Sequence, residues 1–231
     1  YVSAYLEDRM LECGATEIVD NPNTAEHAAF FKIVDPDGDL TNRNEKLVFR
    51  IRVASESSGA FGYSILLDTD QSFGSDDANA VSGNPGFELE VLYGSGGGNS
   101  GVTLQDVDGK TSGFTELSHH GDGVRNQWSY AKFSNCSGDD PVFLDYYVDF
   151  ADFPAGITAL TPLRLVFASS SSPATALGGS ASDIGGVDDG DPNLSDNDAA
   201  FTAVVTNTPV VTFGAGYLIV ECNDPTACNY D

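Results

Sequence analysis

From Phe61 to Val91 the chain reads FGYSILLDTDQSFGSDDANAVSGNPGFELEV. Phe61, Tyr63, Ile65 and Leu67 recur at period two, the spacing of a strand that buries one face. The stretch then turns acidic, with Asp68, Asp70, Asp76 and Asp77 close together. It returns as a second strand, with Phe87, Leu89, Val91 and Tyr93 facing in and Glu88 and Glu90 facing out. Two core strands therefore carry a carboxylate-rich connection. That connection reads as a calcium loop or a sugar-facing edge; the simpler alternative is a solvated loop.

The same pattern recurs along the chain. AEHAAFFKIVD reads as a strand that meets the turn DPDGDLTN, where Asp35, Asp37 and Asp39 alternate around Gly38. This D-x-D-G-D run resembles the start of a calcium loop, although the later glutamate of an EF-hand is out of register. KLVFRIRVAS turns Leu47, Phe49, Ile51 and Val53 one way and Arg50 and Arg52 the other. GSGGGNSG is a hairpin loop, since no lysine or helix follows it as a phosphate cradle requires. GVTLQDVDGK is a strand that ends at Asp106 and Asp108. VFLDYYVDFADF alternates Val142, Leu144, Tyr146, Val148 and Phe150 with Phe143, Asp145, Tyr147 and Asp149. TPLRLVFASSSS supplies another core strand. A long loop with Asp183, Asp188, Asp189 and Asp191 runs from Ser169 to Asp198, and AAFTAVVTNTPVVTFGAGYLIVE reads as two or three closing strands. Nine to eleven strands with almost no helical periodicity predict an all-β, antiparallel, jelly-roll-like β-sandwich. Its expected bounds are 25–220, after an N-terminal extension (1–24) and before a distinct acidic tail (221–231).

Ten Lys and Arg stand against 35 Asp and Glu, a net charge of −25. That balance opposes binding to nucleic acid or an anionic membrane, both of which need clustered cations. No apolar run reaches the length of a membrane span. Aspartates in turns beside Gly, Asn and Pro are the short oxygen ligands that calcium prefers. Four cysteines, Cys13, Cys136, Cys222 and Cys228, suggest export and disulfides. Three pairings are open. Cys222–Cys228 closes most easily, which leaves Cys13–Cys136; a four-thiolate zinc site is the rival, without a CxxC pair to support it.

Further candidates lie in the second half. His119–His120 is expected in a solvated loop. Trp128 is either a sugar-stacking platform or a core residue. The Asp145, Tyr147 and Asp149 face combines a ring with hydroxyl acceptors, as shallow glycan sites do; a covering layer explains it equally well. Paired carboxylates for glycosidase chemistry carry no weight in a chain this acidic, and no nucleophile elbow or HExxH is present, so no enzyme is expected.

Two resemblances enter here. The order VFRIRVAS, GYSILLDTD, NPGFELEVLYG, FLDYYVDFADF, TPLRLVFASSSS and SDIGGVDD, over about residues 45–190, looks like a module repeated in large secreted proteins of marine Bacteroidetes. That module is similar to family-nine carbohydrate-binding modules and DOMON-like domains, which implies a β-sandwich that binds sugar or haem. Haem is set aside, because Met10 lies outside the module and no histidine clearly faces a pocket. CNDPTACNYD at the end resembles the first half of an acidic, cysteine-bearing repeat similar to thrombospondin type-3 calcium repeats, with Asp224, Asn229 and Asp231 as matching donors. The resemblances imply type IX secretion, a cell-surface location and a longer parent polypeptide whose other domains are the partners. The expected function is an extracellular adhesion module with calcium in its acidic loops; a carbohydrate-binding module of a polysaccharide-degrading system is the alternative.

Overall fold

The alternation in KLVFRIRV and VFLDYYVD becomes two adjacent strands, β3 (Lys46–Val53) and β9 (Val142–Asp149), in antiparallel register. Their inward residues Leu47, Phe49, Ile51, Leu144, Tyr146 and Val148 are fully buried. The computed structural model describes residues 2–3, 14–19, 28–56, 59–96, 100–131, 141–187 and 196–212. The first sheet continues through β1 (Val2–Ser3), β2 (Ala29–Val34) and β8 (Asn126–Tyr130), in the order β1-β2-β3-β9-β8. The second contains β4 (Gly62–Asp68), β5 (Leu89–Gly94), β6 (Gly101–Asp106), β7 (Thr115–Gly121), β10 (Arg164–Ser170) and β11 (Ala181–Ile184), in the order β11-β10-β4-β5-β6-β7. All pairings are antiparallel. The sandwich expected from the strand pattern is therefore present.

One core lies between the sheets, where Phe49, Tyr63, Ile65, Leu67, Val91, Tyr146 and Phe167 pack together. Each such side chain contributes about 1.5–3 kcal/mol by leaving water. A second apolar cluster lies on the outer side of the six-stranded sheet. Leu66, Phe87, Val107, Val166 and Ala168 meet Ala200, Phe201, Val204 and Val205 of a helix, α1 (Asn197–Asn207). β4 is thus covered on both faces, and every residue in it is buried. Its Gly62 accommodates the close approach of the covering segment: a Cβ there would lie 2.2 Å from the Ala174 carbonyl oxygen.

The helix corrects the expectation of closing strands up to Asn207, and residues 213–221 of that expectation lie outside the described residues. Asp196 is its N-cap and accepts from the Ala199 amide at 2.6 Å. Asp198 adds negative charge to the first turn, where it complements the helix dipole. The helix stops at Thr208, just before Pro209. Residues placed above in an N-terminal extension join the sheet, since Val2 pairs with Phe31 and Ile18 bridges Val53. His119 and His120 lie in the edge strand β7 rather than in a loop.

Ile18 and its neighbours also fix the mutual orientation of the sheets. Ile18 bridges Val53 of β3, its amide donates to Asp183 Oδ2, and Ser169 Oγ donates to the Thr16 carbonyl. The Val53 end of one sheet therefore lies over the Ser169 end of the other. The opposite ends, at Lys46 and at Asp68, share the far end of the sandwich. The acidic connections β2–β3, β4–β5 and β6–β7 all emerge there.

Candidate functional site

β4 ends at Asp68, and β5 begins one residue after Glu88. The Glu88 amide donates to the Leu67 carbonyl at 3.1 Å, so the two strand ends hold their carboxylates side by side. Between them the chain loops through Gln71, which has φ 67°, and a 3-10 turn at Gly74–Asp76. Gly86, with φ 133°, lets the returning chain pass against Asp77, whose Oδ2 would lie 2.8 Å from a Cβ. Asn84 anchors the return: its buried amide donates to the Phe87 and Val107 carbonyls and accepts from the Phe87 amide.

The result is a carboxylate triad. Asp68, Asp70 and Glu88 each place one oxygen within 4.8 Å of the others, the one such grouping among the described residues. Asp68 is fully buried; its Oδ2 accepts from Arg164 Nε at 2.5 Å and from Nη2, and its Oδ1 accepts from the Gln71 amide at 2.6 Å. Glu88 Oε2 accepts from the Thr69 amide at 2.6 Å and its hydroxyl at 3.0 Å. Asp70 Oδ1 accepts from the Ser72 amide at 2.7 Å. Burial pushes Glu88 up to about 7, with Asp70 and Asp68 adding to the effect and the Thr69 hydrogen bonds opposing it. Asp68 is also raised, chiefly by burial, against the pull of Arg164. Three carboxylates thus crowd one guanidinium. A hard divalent cation fits the donor set, since it takes carboxylate oxygens from several residues at once.

No family model matches the chain, and no curated protein or solved structure matches it either.

The sequence-predicted residues divide among several places. Asp68 and Asp70 meet in the triad, while Asp77 Oδ1 instead accepts from the Asn79 amide. Asp76 ends the 3-10 turn. Asp106 accepts from Lys110 Nζ at 3.0 Å, and Asp108 accepts from Asn79 Nδ2. Asp35, Asp37 and Asp39 curl the β2–β3 connection by accepting from backbone amides two and three residues ahead. Asp183 is buried at the opposite end of the sandwich, where it holds the Ile18 amide. Asp188, Asp189, Asp191, Asp224, Asp231 and the four cysteines lie outside the described residues.

The proposed sugar face also divides. Trp128 points inward and meets Tyr63 and Tyr93 edge-on, with ring centroids 5.8 and 6.1 Å away. It is partly buried and packs against the edge of the core. Asp145, Tyr147 and Asp149 face outward on the five-stranded sheet, opposite β3. There register makes the pairs: Arg50 lies across from Asp145 and Lys46 across from Asp149. Arg50 Nε and Nη2 take both Asp145 oxygens at 2.7 and 2.8 Å. Lys46 and Arg125 both bind Asp149 and also lie 4.4 and 5.4 Å from the Tyr147 ring centroid. Five of the ten Lys and Arg, Lys32, Lys46, Arg50, Arg52 and Arg125, gather at this face. Beside it lies a groove of about 350 Å³, lined by Lys32, Val34, Val48, Arg125, Gln127 and Tyr147.

Sequence reasoning missed Glu88 as a candidate ligand because it read Glu88 and Glu90 as solvent-facing. Both do leave the inter-sheet core. The second layer, invisible in the strand pattern, then covers them. Arg164 carried a usable signal: a lone cation beginning a strand in a chain this acidic has a carboxylate waiting for it.

Proposed function

We propose that this chain is a non-catalytic, extracellular β-sandwich module of a cell-surface protein, with calcium holding its acidic end together. The observation that carries this reading is the Asp68–Asp70–Glu88 triad. Its three carboxylates are oriented by backbone amides and compensated by a single arginine. Calcium there would tie the end of β4 to the start of β5, the two central strands that are buried throughout. Its role would be to stiffen a binding or spacing module, and the neighbouring domains of a longer polypeptide would be its partners.

The test is a thermal melt in excess EDTA, in millimolar calcium and in millimolar magnesium, for wild type and Glu88→Gln. A ligand that binds only the folded state at a hundredfold excess over Kd adds about 2.7 kcal/mol. A rise of several degrees in calcium, poorly reproduced by magnesium and reduced in Glu88→Gln, supports the reading. Equal melts in all three conditions overturn it.

The groove beside Tyr147 favours carbohydrate binding as the second reading. With Trp128 turned inward, it would rest on Tyr147, Gln127 and the flanking cations rather than on an open indole. A glycan array run with wild type and Tyr147→Ala tests it; no specific binder, or equal binding by the two, removes this reading.

A further inference from the structure

The connection from Val34 to Lys46 contains an anomaly that its exposed acidic residues do not explain. Glu45, the last residue before β3, is fully buried. Neither of its carboxylate oxygens meets a hydrogen-bond donor from another residue, and the buried Asp35 Oδ2 meets none either. The β2–β3 ladder ends with Val34 opposite Lys46, which leaves Asp35 and Glu45 beside each other where the loop begins and ends. Burial is the main cause that raises the Glu45 carboxyl, and the negative charges of Asp35, Asp37 and Asp39 raise it further. An uncompensated buried carboxylate is costly, and such groups are normally paired with a cation or bound to a metal.

The local cations are committed elsewhere. Arg43 turns away, donating to the Phe150 carbonyl at 3.2 and 2.7 Å and to the Phe153 carbonyl at 2.5 Å. Lys46 binds Asp149 at 2.9 Å. The remaining charged side chains of the loop, Asp35, Asp37 and Asp39, are all carboxylates. Asp35 and Asp39 each spend Oδ1 on amides of the loop, while Asp37 Oδ2 is held by Asn42 and Asn44.

We propose that the β2–β3 connection is a second divalent-cation site, separate from the Asp68 triad, in which Glu45 closes a loop opened by Asp35, Asp37 and Asp39. The spacing resembles an EF-hand shortened by one residue, with acidic positions one, three and five and a glutamate at eleven rather than twelve. Arg43 sits in the left-handed region at φ 63°, so the chain reverses two residues before Glu45. The carboxylate oxygens of this loop do not converge as those of the triad do, so a bound cation would have to draw Asp35 and Glu45 together. Calcium suits this site better than magnesium, because it tolerates irregular geometry and a bidentate carboxylate. The Glu45 carbonyl accepts from the Phe150 amide at 2.9 Å, so the closed loop would also brace the end of β9.

The test is a calorimetric titration of the full chain with calcium alone, in wild type, Glu45→Gln, Asp35→Asn and Glu88→Gln. Glu45→Gln and Asp35→Asn should each lose one binding equivalent, or weaken it at least tenfold, while Glu88→Gln keeps it. Melts in EDTA serve as the folding control and as a second readout. Glu45→Gln removes a buried uncompensated charge, so it should match or exceed wild type without metal and fall below it in calcium. A merely structural glutamate would not produce that crossing. Wild-type stoichiometry and affinity in Glu45→Gln overturn the proposal, as does loss of every equivalent in Glu88→Gln. Unchanged binding in Glu88→Gln alone would instead strike the triad and leave this site standing.

Discussion

The Tyr146 hydroxyl donates to the Tyr63 carbonyl at 3.1 Å, and this hydrogen bond crosses the interior from one sheet to the other. Both side chains belong to the core, and burial raises the Tyr146 phenol well above its usual value. Tyr146→Phe keeps the ring and removes the donor. The expected loss is about 1–2 kcal/mol of unfolding free energy, read from denaturant melts with an unchanged slope. A loss below a few tenths of a kcal/mol would mean that the bond contributes nothing.

Arg164 and the fully buried Asp68 form the pair on which the triad is built. Arg164→Gln leaves that carboxylate without its cation, and removing one partner of a buried pair costs about 3–5 kcal/mol. Asp68→Asn combined with Arg164→Gln should recover much of that loss in EDTA. Additive losses in the double variant would show that the two side chains are not coupled.

Glu90 is fully buried and accepts from Gln105 Nε2 at 2.5 Å and from the Ser64 hydroxyl, with no cation among its partners. Burial is the largest influence and raises its carboxyl despite those hydrogen bonds. A carboxyl raised in the folded state favours folding when protonated. Its contribution is therefore complete below the ordinary value of 4.5 and is lost as pH rises toward the folded value. Glu90→Gln should match wild type near pH 4 and exceed it near pH 8, by melts in EDTA at both values. An identical pH dependence in the two proteins would contradict this.

Asp196→Ala removes the cap of α1 and should cost about 1 kcal/mol. Amide exchange should quicken at Ala199 first, because that amide loses its acceptor. Unchanged exchange there would mean that the cap does not hold the helix.

The inter-sheet core was legible because its strands alternate. Tyr63, Ile65 and Leu67 in β4 and Leu144, Tyr146 and Val148 in β9 all point where period two places them. α1 was not, because Ala200, Phe201, Val204 and Val205 sit among threonines and β-branched residues that read equally well as strand. Its start signal, Asp196, stood in an acidic stretch that read as metal ligands. The outer layer on the six-stranded sheet stayed hidden for a related reason: Ser64, Glu90 and Ser170 look solvent-facing until α1 and the 171–187 segment cover them. The pairing of Arg50 with Asp145 depends on a register between residues 95 apart, which local spacing does not contain. At the candidate sites, Asp68, Asp70 and the 35–39 run were visible as clusters. Glu88 and Glu45 were not, since each looks like an ordinary polar residue beside a strand.

The strand register gathers the carboxylate loops at one end of the sandwich, while Lys32, Lys46, Arg50, Arg52 and Arg125 line one flank. The charge of the molecule therefore has a direction as well as a size. Such a body feels a torque in an electric field and rotates before it touches anything. In about 0.15 M salt the field reaches about 8 Å, so a charged surface aligns the module during the last steps of approach. In about 1 M salt that reach shrinks to about 3 Å, and the same surface would meet it in any orientation.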